Sequence, residues 1–389
     1  MLLSVIIVNY NVKYFLEQCL CSVRKAIGEM RVATGERNVE VLVVDNNSTD
    51  GSIEYLQHRF PFVQFIKNSV NLGFSKANNQ ALQKATGKYI LFLNPDTILP
   101  EDAFTKCITF METTTDAGAL GVQMIDGMGQ FLKESKRGFP SLWVSFCKMS
   151  GLTRWFPGSK IFARYYMGHL SNQQVNKVDI LSGAFLMVKQ SLLHKTGGFD
   201  EQFFMYGEDI DLSYRLQQTG YHNYYLPDCT IIHFKGESTR KDNKYVRLFY
   251  KAMVQFVQKH FHGELAWFYT GLLEAVIWLR AALTFVSREH QERSVKYEGK
   301  PRFFLAGDEK SAKEVRSVLS SFPDYSITAK PEEAREWIFC EGASCSFRQI
   351  IEQLKSCPSW LKPFIHAGGT YTIVGSHSKD QRGYVIVME

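Results

Sequence analysis

SVIIVN at Ser4–Asn9, VEVLVVD at Val39–Asp45 and YILFL at Tyr89–Leu93 decide the fold. The first is a continuous β-branched run, the pattern of a central strand buried on both faces of a parallel sheet. Working outward, Val12–Ala26 has helical spacing, and Asp50–Phe60 reads as a helix with Asp50 or Ser52 near its cap. Val63–Lys67 is a further strand and Ser75–Ala85 a further helix. This alternation predicts a parallel sheet with right-handed crossovers. Ligands of such sheets sit at the carboxyl ends of the strands, and Asn9, Asp45 and Asp96 all fall there.

The chain has 389 residues, 45% hydrophobic and 22% charged, enough for two or three globular domains. Its net charge of +6 is too small for a dedicated nucleic-acid binder. The excess is local: His233–Gly263 holds seven Lys/Arg against two Asp/Glu. Eight cysteines without a CxxC indicate neither a zinc knuckle nor a disulfide framework. MLLSVIIVNYN lacks the basic region and cleavage site of a signal peptide, so a reducing cytoplasm is expected.

Beyond the first sheet, residues 127–176 are aromatic and weakly patterned, as expected of a long mobile segment bordering a site. Val178–Val188 returns to strand character, EDIDLSYRLQQTG after Gly207 is a helix closed by Gly220, and Tyr224–His233 is extended. Leu265–Ser287 is apolar but carries Glu274 and Arg280, so an ordinary membrane span is not expected. It reads equally as a helix lying on a membrane surface or as a buried helix packing the last domain. RFFLAGD, EKSAKEVRSVLSSF, EWIFCEG, FRQIIEQLKSC, TYTIVGS and GYVIVM then outline a separate α/β pattern.

Taken in order, SVIIVNYN, VDNNSTDGS, NLGFSKANNQAL, LNPDT, LSGAFLMVK, GGFDEQFFMYGEDIDLSYRLQQTGY and IIHF resemble the inverting family 2 glycosyltransferases with a GT-A fold. The resemblance is to their rhamnosyltransferase-like branch, which extends bacterial surface polysaccharides, and it covers roughly residues 1–260. It implies an α/β GT-A domain at 1–262 with a central, mostly parallel sheet. An apolar, amphipathic helical linker at 263–298 and a small Rossmann-like α/β domain at 299–389 would follow. That last domain resembles nucleotide-binding modules through FFLAGDEKSA and IVGSHSKDQRG but lacks GxGxxG, so binding module and inert scaffold both stay open.

A nucleotide-diphosphate donor needs its charge neutralised as the diphosphate leaves, which a divalent cation, Mg²⁺ or Mn²⁺, does well. Asp96, set in a turn by Pro95, suits one metal carboxylate. The family pattern there is DxD; this chain has Asn94 in place of the first carboxylate. The resemblance adds His233 to the metal or diphosphate, and makes Asp45 the reader of a uracil or thymine N–H. Asp45 and its neighbours also read as a helix-capping cluster. Asn9, Tyr10, Asn47, Asn71, Gly73, Asn78 and Asn94 are implied as further donor contacts. Gly183 would lie under the sugar, or serve only tight strand packing. The family's ED motif falls on Glu208–Asp209: Asp209 would be the general base of an inverting transfer and Glu208 would orient it or the acceptor.

The implied activity is a metal-dependent hexosyl transfer from dTDP-L-rhamnose or a UDP-sugar to a polyprenyl-diphosphate-linked or nascent glycan, at the inner face of the cell membrane. Two other classes compete: a scaffold carrying a degenerate transferase domain, and a sugar-1-phosphate nucleotidyltransferase. The latter would want a Gly-rich loop where this chain has NYNVKYF.

Overall fold

The computed structural model describes residues 1–34, 38–140, 143–144, 147, 151–235, 243–260, 271, 300–377 and 383–388. The expected linker at 263–298, with Leu265–Ser287, lies outside the described residues except for Gly271. So do Arg240 and Lys241.

Nine strands form the first sheet: β1 (Leu3–Asn9), β2 (Val39–Asp45), β3 (Val63–Lys67), β4 (Tyr89–Leu93), β5 (Thr97–Ile98), β6 (Ala117–Ile125), β7 (Asn176–Val178), β8 (Phe185–Lys189) and β9 (His222–His233). Their order is β3-β2-β1-β4-β8-β6-β9-β5, with β7 on β9. The expected parallel set holds through β4. There β8 turns antiparallel to β4, and β6 antiparallel to β8. The stretch Val178–Val188, read as one strand, is two, because residues 179–184 loop out between β7 and β8. All seven residues of β1 are buried, which explains its unbroken apolar run.

Helix Lys13–Thr34 (α1) extends past its expected end at Ala26, and helix Ser52–Leu56 is shorter than Asp50–Phe60. Asp50 accounts for both starts: one carboxylate oxygen accepts Lys13 N–H at 2.9 Å and the other Ser52 N–H at 3.1 Å.

A second sheet contains β10 (Arg302–Gly307), β11 (Ser326–Thr328), β12 (Glu336–Cys340), β13 (Lys362–His366), β14 (Thr372–Gly375) and β15 (Tyr384–Val387), in the order β11-β10-β12-β13-β14-β15. The sequence pattern did not reveal β13, whose KPFIH run carries Pro363 and ends on a histidine. Helix Phe347–Ser356 of this unit buries Phe347, Ile350, Ile351 and Leu354 in the same apolar cluster as Leu16 and Leu20 of α1. The two sheets therefore share a core.

Candidate functional site

Register does much of the assembly. Asn9 lies beside Asp45 in the parallel β1–β2 pair, and its amide donates to Asp45 Oδ1 at 2.8 Å and Ser48 Oγ at 3.1 Å. Asp45 Oδ2 accepts Ser48 N–H at 3.0 Å. Asn47 sits exposed in the following turn at φ 67°, a left-handed position that Asn tolerates. Tyr10 is 38% exposed at the end of β1.

Asn46, not singled out in the sequence, is the organiser of the next loop. It donates to Asn71 Oδ1 at 2.9 Å and accepts from Leu72 N–H at 2.9 Å and Asn68 at 3.2 Å. Asn71 in turn accepts Gly73 N–H at 2.9 Å. Gly73 has φ +84°, and a Cβ there would strike Phe204, so only glycine fits. Asn78 is buried and donates to Phe74 O of its own helix at 2.9 Å, a structural bond.

Asn94 connects two halves of the site. Its N–H donates to Ala184 O at 3.0 Å, and its side chain lies 3.3 Å from His233 Nε2. Thr97 pairs with His233 across β5–β9, which brings the preceding Asp96 to 3.4 Å from His233 Nε2. Asp96 Oδ1 and His233 Nδ1 are buried without a hydrogen-bond partner among the described residues. An unpaired carboxylate oxygen facing an imidazole Nε2 fits a divalent cation. No group of three or more His, Cys, Asp or Glu converges as a metal cage among the described residues, so this pair would be part of a ligand set completed by other donors.

Glu208 and Asp209 open the helix Glu208–Gln218 behind two left-handed residues, Tyr206 at φ 69° and Gly207 at φ 82°. Strain of this kind clusters at functional sites. Asp209 Oδ2 accepts the Arg137 guanidinium, and Gly183 N–H lies 3.4 Å away. Asp209 Oδ1 has no protein partner among the described residues. Gly183 borders Asp209: a Cβ there would lie 3.7 Å from that of Asp209. Burial alone would depress the Arg137 guanidinium, but the Asp209 carboxylate outweighs it and shifts the group above its ordinary range. Arg137 was not legible in the sequence. It stands in the weakly patterned 127–176 segment, and nothing in FLKESKRG marks one cation over the others.

Asp211, two residues on, points away from this pair. It is fully buried and accepts Arg215 at 2.7 Å, Lys259 at 2.7 Å and His260 at 2.6 Å. It thereby ties helix Asn243–His260 to the ED helix. Lys235 pairs with Glu134 at 2.9 Å.

Burial raises the Glu208 carboxyl to about 8, and the Asp209 charge beside it acts the same way. At neutral pH Glu208 is then protonated. The unfolded side chain titrates near 4.5, so the folded chain holds an extra proton between about 4.5 and about 8. Stability is fully present below that window and falls as pH rises through it. Glu208→Gln should gain on the parent chain across the window, by on the order of 1–4 kcal/mol at its upper end. Denaturation midpoints of both chains from pH 4 to 9 check this; parallel curves would refute it.

Similarity to known proteins now bears on this arrangement. The family described as Glycosyl transferase family 2 matches residues 4–197. N-acetylglucosaminyl-diphospho-decaprenol L-rhamnosyltransferase of Mycobacterium tuberculosis is 31% identical over 251 residues, 62% of this chain and 78% of the relative. This chain belongs to glycosyltransferase family 2. Rhamnosyltransferase WbbL of Escherichia coli K12 is 29% identical over 215 residues, 53% of this chain and 76% of WbbL. Among solved structures, a mannosyltransferase of Pyrobaculum calidifontis in complex with GDP-Man and Mn²⁺ aligns with a TM-score of 0.44 at 19% identity, covering 71% of this chain and 69% of that one. The matched residues 4–197 hold β1 to β8 of the first sheet, whose parallel β3-β2-β1-β4 half carries Asn9 and Asp45.

In the second unit, the strand-to-helix turn after β10 is filled from within. Asp308 caps helix Glu309–Leu319 through Ser311 N–H at 3.0 Å and also accepts Ser344 N–H at 2.9 Å. At the ends of β12 and β13, Glu341 pairs with Lys25 at 2.7 Å and Ala367 N–H donates to Gln18 Oε1 at 2.9 Å. Both partners belong to α1.

Proposed function

We propose that this glycosyltransferase works with inversion, moving a sugar from dTDP-L-rhamnose or a UDP-sugar to a polyprenyl-diphosphate-linked glycan. One observation carries the reading. A continuous path of contacts runs from Asp209 through Gly183–Ala184 and Asn94 to His233 and Asp96, at the end of the sheet where Asn9 and Asp45 also lie. It supports reading Asp209 as the base and Asp96 with His233 as the diphosphate end of one site. The mycobacterial relative, whose name gives a decaprenol-linked acceptor and an L-rhamnosyl group, supports the choice of partners.

Asp45 Oδ1 and Oδ2 would face the pyrimidine N–H in competition with Asn9 and Ser48. Gly73 lets backbone approach the ribose and diphosphate. Asp96 and His233 would hold the cation, whose charge would stabilise the departing diphosphate. Asp209 takes the proton of the acceptor hydroxyl as that oxygen bonds to the anomeric carbon. The bond from that carbon to the phosphate oxygen breaks, and the electron pair leaves with the diphosphate. Arg137 supplies the counter-charge that orients Oδ2 and leaves Oδ1 for the acceptor. Glu208, protonated, can donate rather than compete for the same proton. The scaffold alternative has no comparable support, because Asp209 is present and positioned.

We further read the second unit as a clamp for α1, since Asp308, Gln18 and Lys25 fill the crevice a nucleotide would use.

A thermal-shift screen with nucleoside diphosphates tests the donor assignment. At about 100 times its Kd a nucleotide stabilises by about 2.7 kcal/mol. dTDP or UDP with Mn²⁺ should raise Tm by a few degrees, roughly, and Asp96→Ala should remove the Mn²⁺-dependent part. No shift with any nucleotide, on folded protein, would overturn the reading.

A further inference from the structure

Between Glu134 and Asp179 the sequence carries seven Lys or Arg and no Asp or Glu. Within this stretch, residues 151–170 form a lobe anchored from beneath. Buried Lys136 donates to Met167 O at 3.1 Å and to Leu170 O at 2.6 Å. Thr153 Oγ1 donates to Phe162 O at 2.8 Å, and Phe162 packs its ring 5.3 Å from Phe156 and 6.0 Å from Trp143. The lobe is therefore held in shape, yet its tips are not covered. Trp155 is 80% exposed, Ile161 59% and Phe156 48%. Arg154, Lys160 and Arg164 are exposed between them.

Large apolar side chains at this exposure mark an interaction surface. The charge pattern selects the partner. Protein interfaces are depleted in lysine at their cores, whereas Trp with interleaved Arg and Lys is the chemistry of a bilayer interface: rings enter the headgroup level and cations meet lipid phosphates. Gly138 N–H bonds Tyr165 O of the lobe at 2.9 Å, one residue from Arg137, which pairs with Asp209. The lobe thus borders the candidate base.

We propose that this lobe is the surface by which the chain sits on an anionic lipid bilayer, with Trp155, Ile161 and Phe156 entering the interface and Arg154, Lys160 and Arg164 on headgroup phosphates. A lipid-linked acceptor would meet Asp209 from this side.

The test is co-sedimentation of the full chain with vesicles of phosphatidylcholine alone or mixed with phosphatidylglycerol, at 0.1 M and 0.5 M NaCl. Each basic residue near such a surface contributes about fivefold in partitioning. Arg154→Glu/Lys160→Glu should therefore lower binding to phosphatidylglycerol vesicles by at least about 25-fold. Trp155→Ala/Ile161→Ala should lower it on both vesicle types, and salt should weaken the parent chain's binding. Both pairs of substitutions lie on exposed side chains, so Tm and any nucleotide-dependent stabilisation should be unchanged. That second readout reports on the donor site whether or not vesicles bind. A parent chain that ignores phosphatidylglycerol vesicles would overturn the proposal. Double variants that sediment like the parent would also overturn it, placing membrane contact elsewhere. So would concentration-dependent doubling of mass in light scattering that the Trp155/Ile161 variant abolishes without any vesicle binding, which would assign the patch to a second copy.

Discussion

Asp209→Asn should reduce sugar transfer by about 10²–10⁴-fold while nucleotide binding persists. The amide keeps the size and can still accept a hydrogen bond from Arg137, but it takes no proton from an acceptor hydroxyl. The substitution also has a structural consequence. Arg137 is largely buried, and a neutral partner leaves its charge uncompensated. Breaking one side of such a pair costs about 3–5 kcal/mol, so a lower Tm is expected together with the lost turnover. The two effects separate by a companion variant, Asp209→Asn with Arg137→Gln, which restores a neutral pair. Its stability should recover and its transfer rate should not. Turnover would be followed as release of nucleoside diphosphate, with binding measured independently by thermal shift. A single variant that transfers at the parent rate would show that another group takes the proton.

The half of the candidate site on β1, β2 and β4 was legible because it is built on local signals. β1 and β2 announce themselves as unbroken apolar runs, and polar residues at the ends of such runs can only sit at the sheet's carboxyl edge. Asn9, Asp45 and Asp96 follow from that rule without long-range knowledge. The ED helix was legible for a similar reason: Gly207 before two acids and a helical apolar spacing mark an N-terminus. What the sequence hid depends on residues far apart in the chain. Arg137 reaches Asp209 across 72 positions, and the pairing shows only when β6 and β8 are in place. Asp211 reads as one more helix acid but anchors Lys259 and His260. The antiparallel turn at β8 is likewise silent, since a strand buried on both faces has the same composition in either direction. The clearest gap is α1. Its helical spacing gives Glu17 and Gln18 no role, yet both are fully buried.

Their burial leads to the second large effect. A chain ending at residue 298 should fail to reach a stable fold, or melt more than about 10 °C below the full chain. α1 is the element through which this loss acts. Gln18 donates to Thr372 Oγ1 at 2.9 Å and accepts Ala367 N–H at 2.9 Å, while Glu17 accepts Thr372 Oγ1 at 2.6 Å. On the neighbouring edge, Glu101 caps helix Phe347–Ser356, accepting Phe347 N–H at 2.8 Å and Arg348 N–H at 3.0 Å. These polar contacts surround an apolar seam in which Phe347, Ile350, Ile351, Leu354 and Leu361 join the core of the first sheet. Uncovering an apolar surface that five such side chains fill forfeits about 1.5–3 kcal/mol for each. That total rivals the whole stability of an ordinary domain, about 5–15 kcal/mol. The consequence reaches the candidate site because α1 begins at Lys13, shortly after Asn9, and Asn11–Phe15 and Asp50 line an open pocket of about 330 Å³ together with Gly383 and Val385. A helix released from its clamp would free the loop that holds Asp45 through Asn9 and Ser48. Gln18→Leu in the full chain isolates the polar part: it strands Ala367 N–H, while Thr372 Oγ1 keeps its bond to Glu17, and should cost about 1–3 kcal/mol for the donor left unsatisfied. Circular dichroism melts of the three chains decide the matter. A 1–298 chain that melts within a few degrees of the parent and still binds nucleotide would make the second unit a passenger, and the crevice it closes on α1 would need another explanation.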